Sequence, residues 1–182
     1  MLTLASRSPQ RKAILEQLGI EFRVEPADVE ELTEGDPREV VLQNALRKAR
    51  AVDGQAVLAC DTEVNVDGVV FGKPADAAQA RHMLDQLSGR AHEVLGGLVL
   101  RCTADGAEAV ELTAVASTLV YFRDLDPVDI ENYVAIGEWK GRAGGYAIQG
   151  RGAALVEKIE GDFWNVVGLP VPELMRLLKS PC

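Results

Sequence analysis

The run Ser6-Arg7-Ser8-Pro9-Gln10-Arg11 sets hydroxyl and guanidinium groups around the start of an amphipathic helix. Ser8 is a favourable N-cap, and Pro9 suits the first helical position, where its missing N–H is no loss. Unpaired backbone N–H groups and the positive end of the helix dipole make such a start an anion site. Arg7, Arg11 and Lys12 stand where they could add charge, so a polyanion, most simply a phosphate chain, is the guest this turn suits. The same residues also fit a capped surface helix with scattered basic side chains.

Asp61 sits in Leu58-Ala59-Cys60-Asp61-Thr62, within or at the end of an apolar strand. A carboxylate there is costly to bury unless it pairs, accepts hydrogen bonds or binds a metal. It reads as a metal ligand or general base facing a cleft, with a cap or turn aspartate as the plainer alternative. Lys73, held between Gly72 and Pro74, could aim an ammonium at phosphate or serve as a solvated loop lysine. In Gly144-Gly145-Tyr146-Ala147-Ile148-Gln149-Gly150 the glycines allow close backbone approach, and Gln149 offers a donor and an acceptor to a nucleobase edge. An ordinary tight loop has the same composition. Taken singly, Glu30, Glu31 and Lys48 read as surface charges. His82 and His92 show no ligand spacing, and no Ser/His/Asp, Cys/His, Walker or dinucleotide pattern is present.

The elements that must position these groups alternate between helix and strand. Strands are expected at Leu2–Ala5, Glu21–Glu25, Ala56–Val66, Val69–Phe71, Glu93–Cys102, Val110–Phe122 and Ala153–Ile159. Helices are expected at Pro9–Leu18, Pro37–Val52, Asp76–Leu87, Pro127–Ile136 and Pro170–Leu178. Asp67-Gly68 and Asp105-Gly106 mark turns between strands, Gly19 stops the first helix, and Pro26–Asp36 reads as an acidic surface loop. Leu112, Ala114, Ala116, Thr118, Val120 and Phe122 share one parity, which predicts one buried strand face. Hairpins mixed among helices point to an α/β domain with a mixed sheet. A chain of 182 residues makes one domain, 1–182, with room for two lobes around a cleft.

A net charge of −9 argues against a nucleic-acid partner. A small phosphorylated substrate still fits if basic side chains are concentrated locally, with a divalent cation bridging its phosphates to carboxylates. No apolar run is long enough to span a membrane and no basic-then-apolar leader opens the chain, so no membrane partner and a cytoplasmic location are expected. Cys60, Cys102 and Cys182 lack metal-ligand spacing and read as reduced thiols.

LASRSPQRKAILEQLGI, NALRKA, ACDTEV, GKP, LSGRAHEV, GGYAIQG and NVVGLP follow one another along almost the whole chain. Together they resemble the Maf family of nucleoside triphosphate pyrophosphatases, the septum-formation-like proteins. The resemblance implies an elongated mixed β-sheet with flanking helices and two lobes around a cleft, of the inosine-triphosphate-pyrophosphatase (Maf/Ham1) kind. It implies hydrolysis of a nucleoside triphosphate to the monophosphate and pyrophosphate with Mg²⁺ or Mn²⁺, in nucleotide-pool house-cleaning or septum control, and a homodimer by family habit. By the same resemblance Ser6, Ser8 and Arg11 cradle phosphate, Lys48 and Lys73 neutralise it, and Glu31 and Asp61 hold the metal or activate the attacking water. Asp61-Thr62 and Tyr146-Ala147-Ile148-Gln149-Gly150 match the branch acting on dTTP and UTP, which makes Thr62 and Gln149 substrate-binding candidates. The branch acting on 7-methyl-GTP carries Ser-Asp-Gln and Ser-Glu-Gly there. The chain departs from the family pattern at Gln10, where Arg is usual, at Cys60, where a small residue is common, and at Gly72, where an acid often stands. Two other readings are a non-catalytic nucleotide-binding regulator of cell division and a pyrophosphatase for purine or modified nucleotides.

Overall fold

The chain folds as β1 (Leu2–Leu4), α1 (Pro9–Gln17), β2 (Phe22–Val24), α2 (Pro37–Arg50), β3 (Ala56–Val66), β4 (Val69–Phe71), α3 (Ala77–Leu87), β5 (Ala91–Cys102), β6 (Val110–Phe122), α4 (Pro127–Ile136), β7 (Val156–Glu160), α5 (Phe163–Val167) and α6 (Val171–Leu177). Two 3-10 turns, Ala143–Gly145 and Arg151–Leu155, precede β7. This computed structural model describes residues 1–103 and 108–181. The expected Asp105-Gly106 turn and Cys182 lie outside the described residues.

Local chemistry sets the boundaries. Ser8 caps α1, its hydroxyl accepting from the Arg11 N–H, and Pro9 takes the first helical position. The helix stops ahead of Gly19, whose φ of +67° lets the chain leave. Asp36 caps α2 by accepting from the N–H groups of Arg38 and Glu39. Asp67 and Gly68, at φ +51° and +86°, form the left-handed pair that returns β3 into β4.

The strands form one mixed sheet ordered β2-β1-β3-β5-β6-β7, with β4 also against β3. β1 runs parallel to β2 and β3, and the remaining pairings are antiparallel. β3 and β5 pair from Ala56 opposite Cys102 to Asn65 opposite Glu93. The outer edge of β3 is shared, with β1 covering it at Val57 and Leu58 and β4 from Val64 to Val66. Among the described residues, 59–63 are therefore left without a strand on that side.

Three apolar cores surround this opening. Leu4, Ile14, Leu15, Leu58, Leu98 and Leu174 pack under α1 and α6, and Ala45, Ala49, Val57, Ala59 and Val99 pack on the other face under α2. Further along the same long strands, Val64, Val94, Leu84, Phe122, Tyr133 and Tyr146 make a separate core with α3 and α4. β3 and β5 thread both lobes, and the open stretch of β3 falls between them.

A glycine pair controls how closely the helices approach that stretch. Gly97 and Gly96 stand opposite Asp61 and Thr62. A methyl group on Gly97 would overlap the Val41 carbonyl of α2, and one on Gly96 would overlap the Asn165 amide of α5. α2 and α5 thus reach the sheet from opposite faces at the one place where side chains would keep them off.

Three expectations change. The last strand starts later than Ala153, because Arg151–Leu155 closes a 3-10 turn. The short helix α5 was not legible in Phe163–Val167. In β6, Thr118, Val120 and Phe122 are buried, whereas Leu112, Ala114 and Ala116 are only half-buried, because β7 pairs with β6 only from Leu119 onward. Cys60, read as a reduced thiol, is free and buried. No helix among the described residues is long and apolar enough to cross a membrane.

Gly97→Ala should push α2 off the sheet and lower stability by about 2–4 kcal/mol in urea unfolding. An unchanged midpoint would mean that α2 does not depend on contact at Gly97.

Candidate active site

Ser6, Ser8, Arg11, Glu31, Lys48, Asp61, Thr62, Lys73 and Gln149 all line one cleft of about 460 Å³, at the open edge of β3. These nine candidates are therefore brought together. Lys12 is not, since it pairs with Glu16 on the outer side of α1.

Asp61 and Thr62 are consecutive in β3, so their side chains leave opposite faces of the sheet. Asp61 is buried and meets α2. Its Oδ1 accepts from Lys48 Nζ at 2.7 Å, and its Oδ2 accepts from Asn44 Nδ2 at 3.1 Å. Lys48 Nζ also lies 2.6 Å from Glu31 Oε1, so one ammonium bridges two carboxylates. Lys48 and Asp61 are enclosed, at 11% and 9% side-chain exposure, while Glu31 is 43% exposed. Asn44, wholly buried, also donates to the Leu32 carbonyl and accepts from the Leu32 N–H, at 3.0 and 2.7 Å. This single amide ties the acidic loop to the helix and the strand, which places Glu31 and not Glu30 at the cleft.

On the opposite face Arg11 is the brace. Its Nη2 donates to Thr62 Oγ1 at 3.1 Å, its Nη1 to Ser6 Oγ at 3.0 Å, and its Nε to the Gly168 carbonyl at 2.9 Å. Ser6 Oγ also accepts from the Ser8 N–H at 3.2 Å, and Ser8 Oγ caps α1 while donating to Gln10 Oε1. These hydroxyls are engaged in shaping the turn, so the anion-binding reading rests on the turn as a whole more than on either serine alone. Cys60 lies beneath, its thiol donating to the Gly168 carbonyl at 3.4 Å and pushed up in pKa by burial.

The far wall comes from the other lobe. Lys73 lies beside a bond from the Gly144 N–H to the Gly72 carbonyl, 3.1 Å, which joins its loop to the glycine-rich one. That loop brings Lys140, Arg142, Tyr146 and Gln149 to the cleft. Arg142 Nε is buried without a partner among the described residues. Tyr146 is anchored from below by His92, whose Nε2 sits 2.8 Å from its hydroxyl, and the Ala147 N–H donates to Tyr133 Oη at 2.9 Å. Sequence reasoning missed Asn44, Lys140, Arg142 and the His92–Tyr146 pair. Lys140 and Arg142 carried one usable signal, two cations packed among glycines.

The cleft is a basic place on an acidic chain. Arg7, Arg11, Lys48, Lys73, Lys140 and Arg142 line it against Glu31 and Asp61. Glu63, on the Asp61 face of β3, is pushed up to about 7, first by partial burial and then by the charges of Asp61 and Glu31, with Lys48 acting the other way. Among the described residues no group of three or more acidic, histidine or cysteine side chains stands ready to hold a metal ion. The paired carboxylates of Asp61 and Glu31 still suit Mg²⁺ or Mn²⁺, which can take one or two carboxylates and complete their shell with water and phosphate oxygens.

Fold and site together define a class: a mixed α/β protein whose cation-lined cleft, suited to a polyanion, opens on a pair of bridged carboxylates. The whole chain carries the identification further. Residues 1–181 match the family of Maf-like proteins, and the chain belongs to that family. It is 52% identical over 180 residues to a dTTP/UTP pyrophosphatase of Anaeromyxobacter sp. (strain Fw109-5), covering 98% of this chain and 88% of that protein. It is 46% identical over 180 residues to a dTTP/UTP pyrophosphatase of Thermus thermophilus, covering 97% and 92%. Among solved structures, a HAM1 protein from Coxiella burnetii shares 18% identity at a TM-score of 0.45, over 74% of this chain and 96% of that one.

The His92 anchor has a pH signature. Burial pushes its ring down from 6.5 to about 4. The unfolded chain takes up this proton below about pH 6.5 and the folded one only near 4, so the contribution is full above 6.5 and is lost as pH falls through that window. His92→Gln should flatten this limb, with stability at pH 7 and pH 4 converging by about 2–3 kcal/mol relative to wild type. Urea unfolding at both pH values measures it, and parallel slopes would remove His92 as the source.

Proposed function

We propose that this protein hydrolyses nucleoside triphosphates, dTTP and UTP foremost, to the monophosphate and pyrophosphate. The observation that carries the reading is the open edge of β3, where a buried carboxylate faces a cleft that Arg7, Arg11, Lys48, Lys73, Lys140 and Arg142 make basic. Membership of the Maf family and the names of the relatives support the same reaction.

The triphosphate lies across the cleft between the lobes. Arg7 and the α1 turn draw it on one side, and Lys73, Lys140 and Arg142 neutralise it on the other. Arg11, by bracing Ser6 and Thr62, keeps the turn in shape for it. Asp61 accepts a proton from the attacking water, held for that task by Asn44. The water oxygen bonds to the α-phosphorus, the bond from that phosphorus to the bridging oxygen breaks, and pyrophosphate leaves with the electron pair. Asp61 and Glu31 would hold Mg²⁺ or Mn²⁺, which supplies further neutralisation of phosphate charge when bound. Gln149, exposed at the cleft rim on an anchored loop, reads the pyrimidine edge.

Pyrophosphate release from dTTP, UTP, CTP, dGTP, ITP and 7-methyl-GTP, with Mg²⁺, Mn²⁺ or EDTA, tests this directly. Release should be metal-dependent and strongest with dTTP and UTP. Asp61→Asn should lower kcat by about 100- to 10,000-fold in a variant that still melts cooperatively, with a midpoint below wild type because Lys48 loses one of its two carboxylates. Near-normal turnover in that variant would exclude Asp61 as the base.

Base reading has its own test. Gln149→Ala should reduce the preference for dTTP over dGTP, taken as a ratio of kcat/KM, by about fivefold, the value of one hydrogen bond. An unaltered ratio would move base recognition to another residue.

A further inference from the structure

The two carboxylates assigned to the metal are the two that Lys48 already holds. Its Nζ is 2.7 Å from Asp61 Oδ1 and 2.6 Å from Glu31 Oε1, in a pocket that leaves the side chain 11% exposed. The other Asp61 oxygen is taken by Asn44, which also fixes the loop carrying Glu31. Among the described residues no third acidic, histidine or cysteine ligand completes a cluster that a cation could occupy unaided. A dication entering alone would meet an ammonium at its own binding position, gain at most two protein ligands and leave that ammonium enclosed beside a like charge.

A triphosphate changes each of these terms. Its oxygens complete the metal's shell, as phosphates do for Mg²⁺ held by few carboxylates. It also offers Lys48 an anionic partner within the same cleft, so the ammonium can yield its carboxylates without being stranded. We propose that Lys48 is an internal counter-cation that bars metal from the free protein, so that the metal enters only together with the nucleotide. Binding of the two is then positively coupled, and by linkage each tightens the other by the same factor. The inference rests on the placing of the metal at Asp61 and Glu31.

The test is Mn²⁺ uptake by the full chain, followed by loss of the free-ion electron paramagnetic resonance signal, with and without non-hydrolysable α,β-imido-dUTP. Wild type should take up no Mn²⁺ alone and about one ion per chain with the analogue, beyond what the analogue binds by itself. Lys48→Met and Lys48→Gln should gain uptake without nucleotide, by about tenfold or more in affinity. Asp61→Asn and Glu31→Gln should weaken uptake in the presence of the analogue. Nucleotide-independent Mn²⁺ binding by wild type that Asp61→Asn abolishes would overturn the counter-cation role and keep the metal position. Uptake with analogue that neither Asp61→Asn nor Glu31→Gln alters would overturn the metal position itself. Folded Lys48 variants that gain nothing would also overturn the role. Should both unfold, the wild-type comparison with and without analogue decides alone.

Discussion

Asp61 is buried at the end of the wholly buried apolar run Val57–Cys60 of β3, and a charge in that position is tolerable only with its partners in place. Lys48 and Asn44 are those partners, and both come from α2. They reach Asp61 because the residue paired with it across the sheet is Gly97, where the α2 backbone sits against β5 with no room for a methyl group. Helix, strand and acidic loop are thereby fixed relative to one another by a charge that needs company and a glycine that allows it close. The apolar packing of Ala45, Ala49, Val57 and Val99 beneath α2 supports this geometry, but packing alone would tolerate the helix a little further out.

The neighbouring residue does the same on the other face. Thr62 receives Arg11, which also holds Ser6 and the Gly168 carbonyl, while Gly96 admits Asn165. Two consecutive side chains of one strand therefore anchor two different walls, and two consecutive glycines of the next strand make space for both. The arrangement depends on an interruption in the sheet. β1 ends and β4 has not yet begun, so the edge of β3 is free where the walls meet. A sheet continuous at this point would bury Asp61 beyond the reach of any ligand.

Much of this could be read from residue order. Ser8, Pro9 and Gly19 announced α1 and its limits, Asp67-Gly68 announced the hairpin, and the apolar flanks of Asp61 marked it as a charge requiring explanation. The nine site candidates all reached the cleft. What stayed hidden were contacts between distant segments. Asn44 has nothing in its own surroundings to link it to Leu32 and Asp61, and the His92–Tyr146 pair is 54 residues apart. Nothing in the strand around Gly96-Gly97 shows what the pair is for, because the bodies it admits, Val41 and Asn165, come from elsewhere in the chain. The continuous buried face expected for β6 failed for a related reason: parity tells which residues share a face, but not how far the neighbouring strand extends to cover it.

The two walls of the cleft belong to different cores. The Asp61, Lys48 and Arg11 groups rest on the packing under α1, α2 and α6, whereas Tyr146 and the loop around it rest on α3, α4 and Phe122. Substitutions that reshape the second core can accumulate without disturbing the first. Such a division makes the fold easy to diversify: a duplicated copy could reshape the wall around Tyr146 and Gln149 while the packing that supports Asp61 stays as it is, provided that wall keeps its cations Lys73, Lys140 and Arg142.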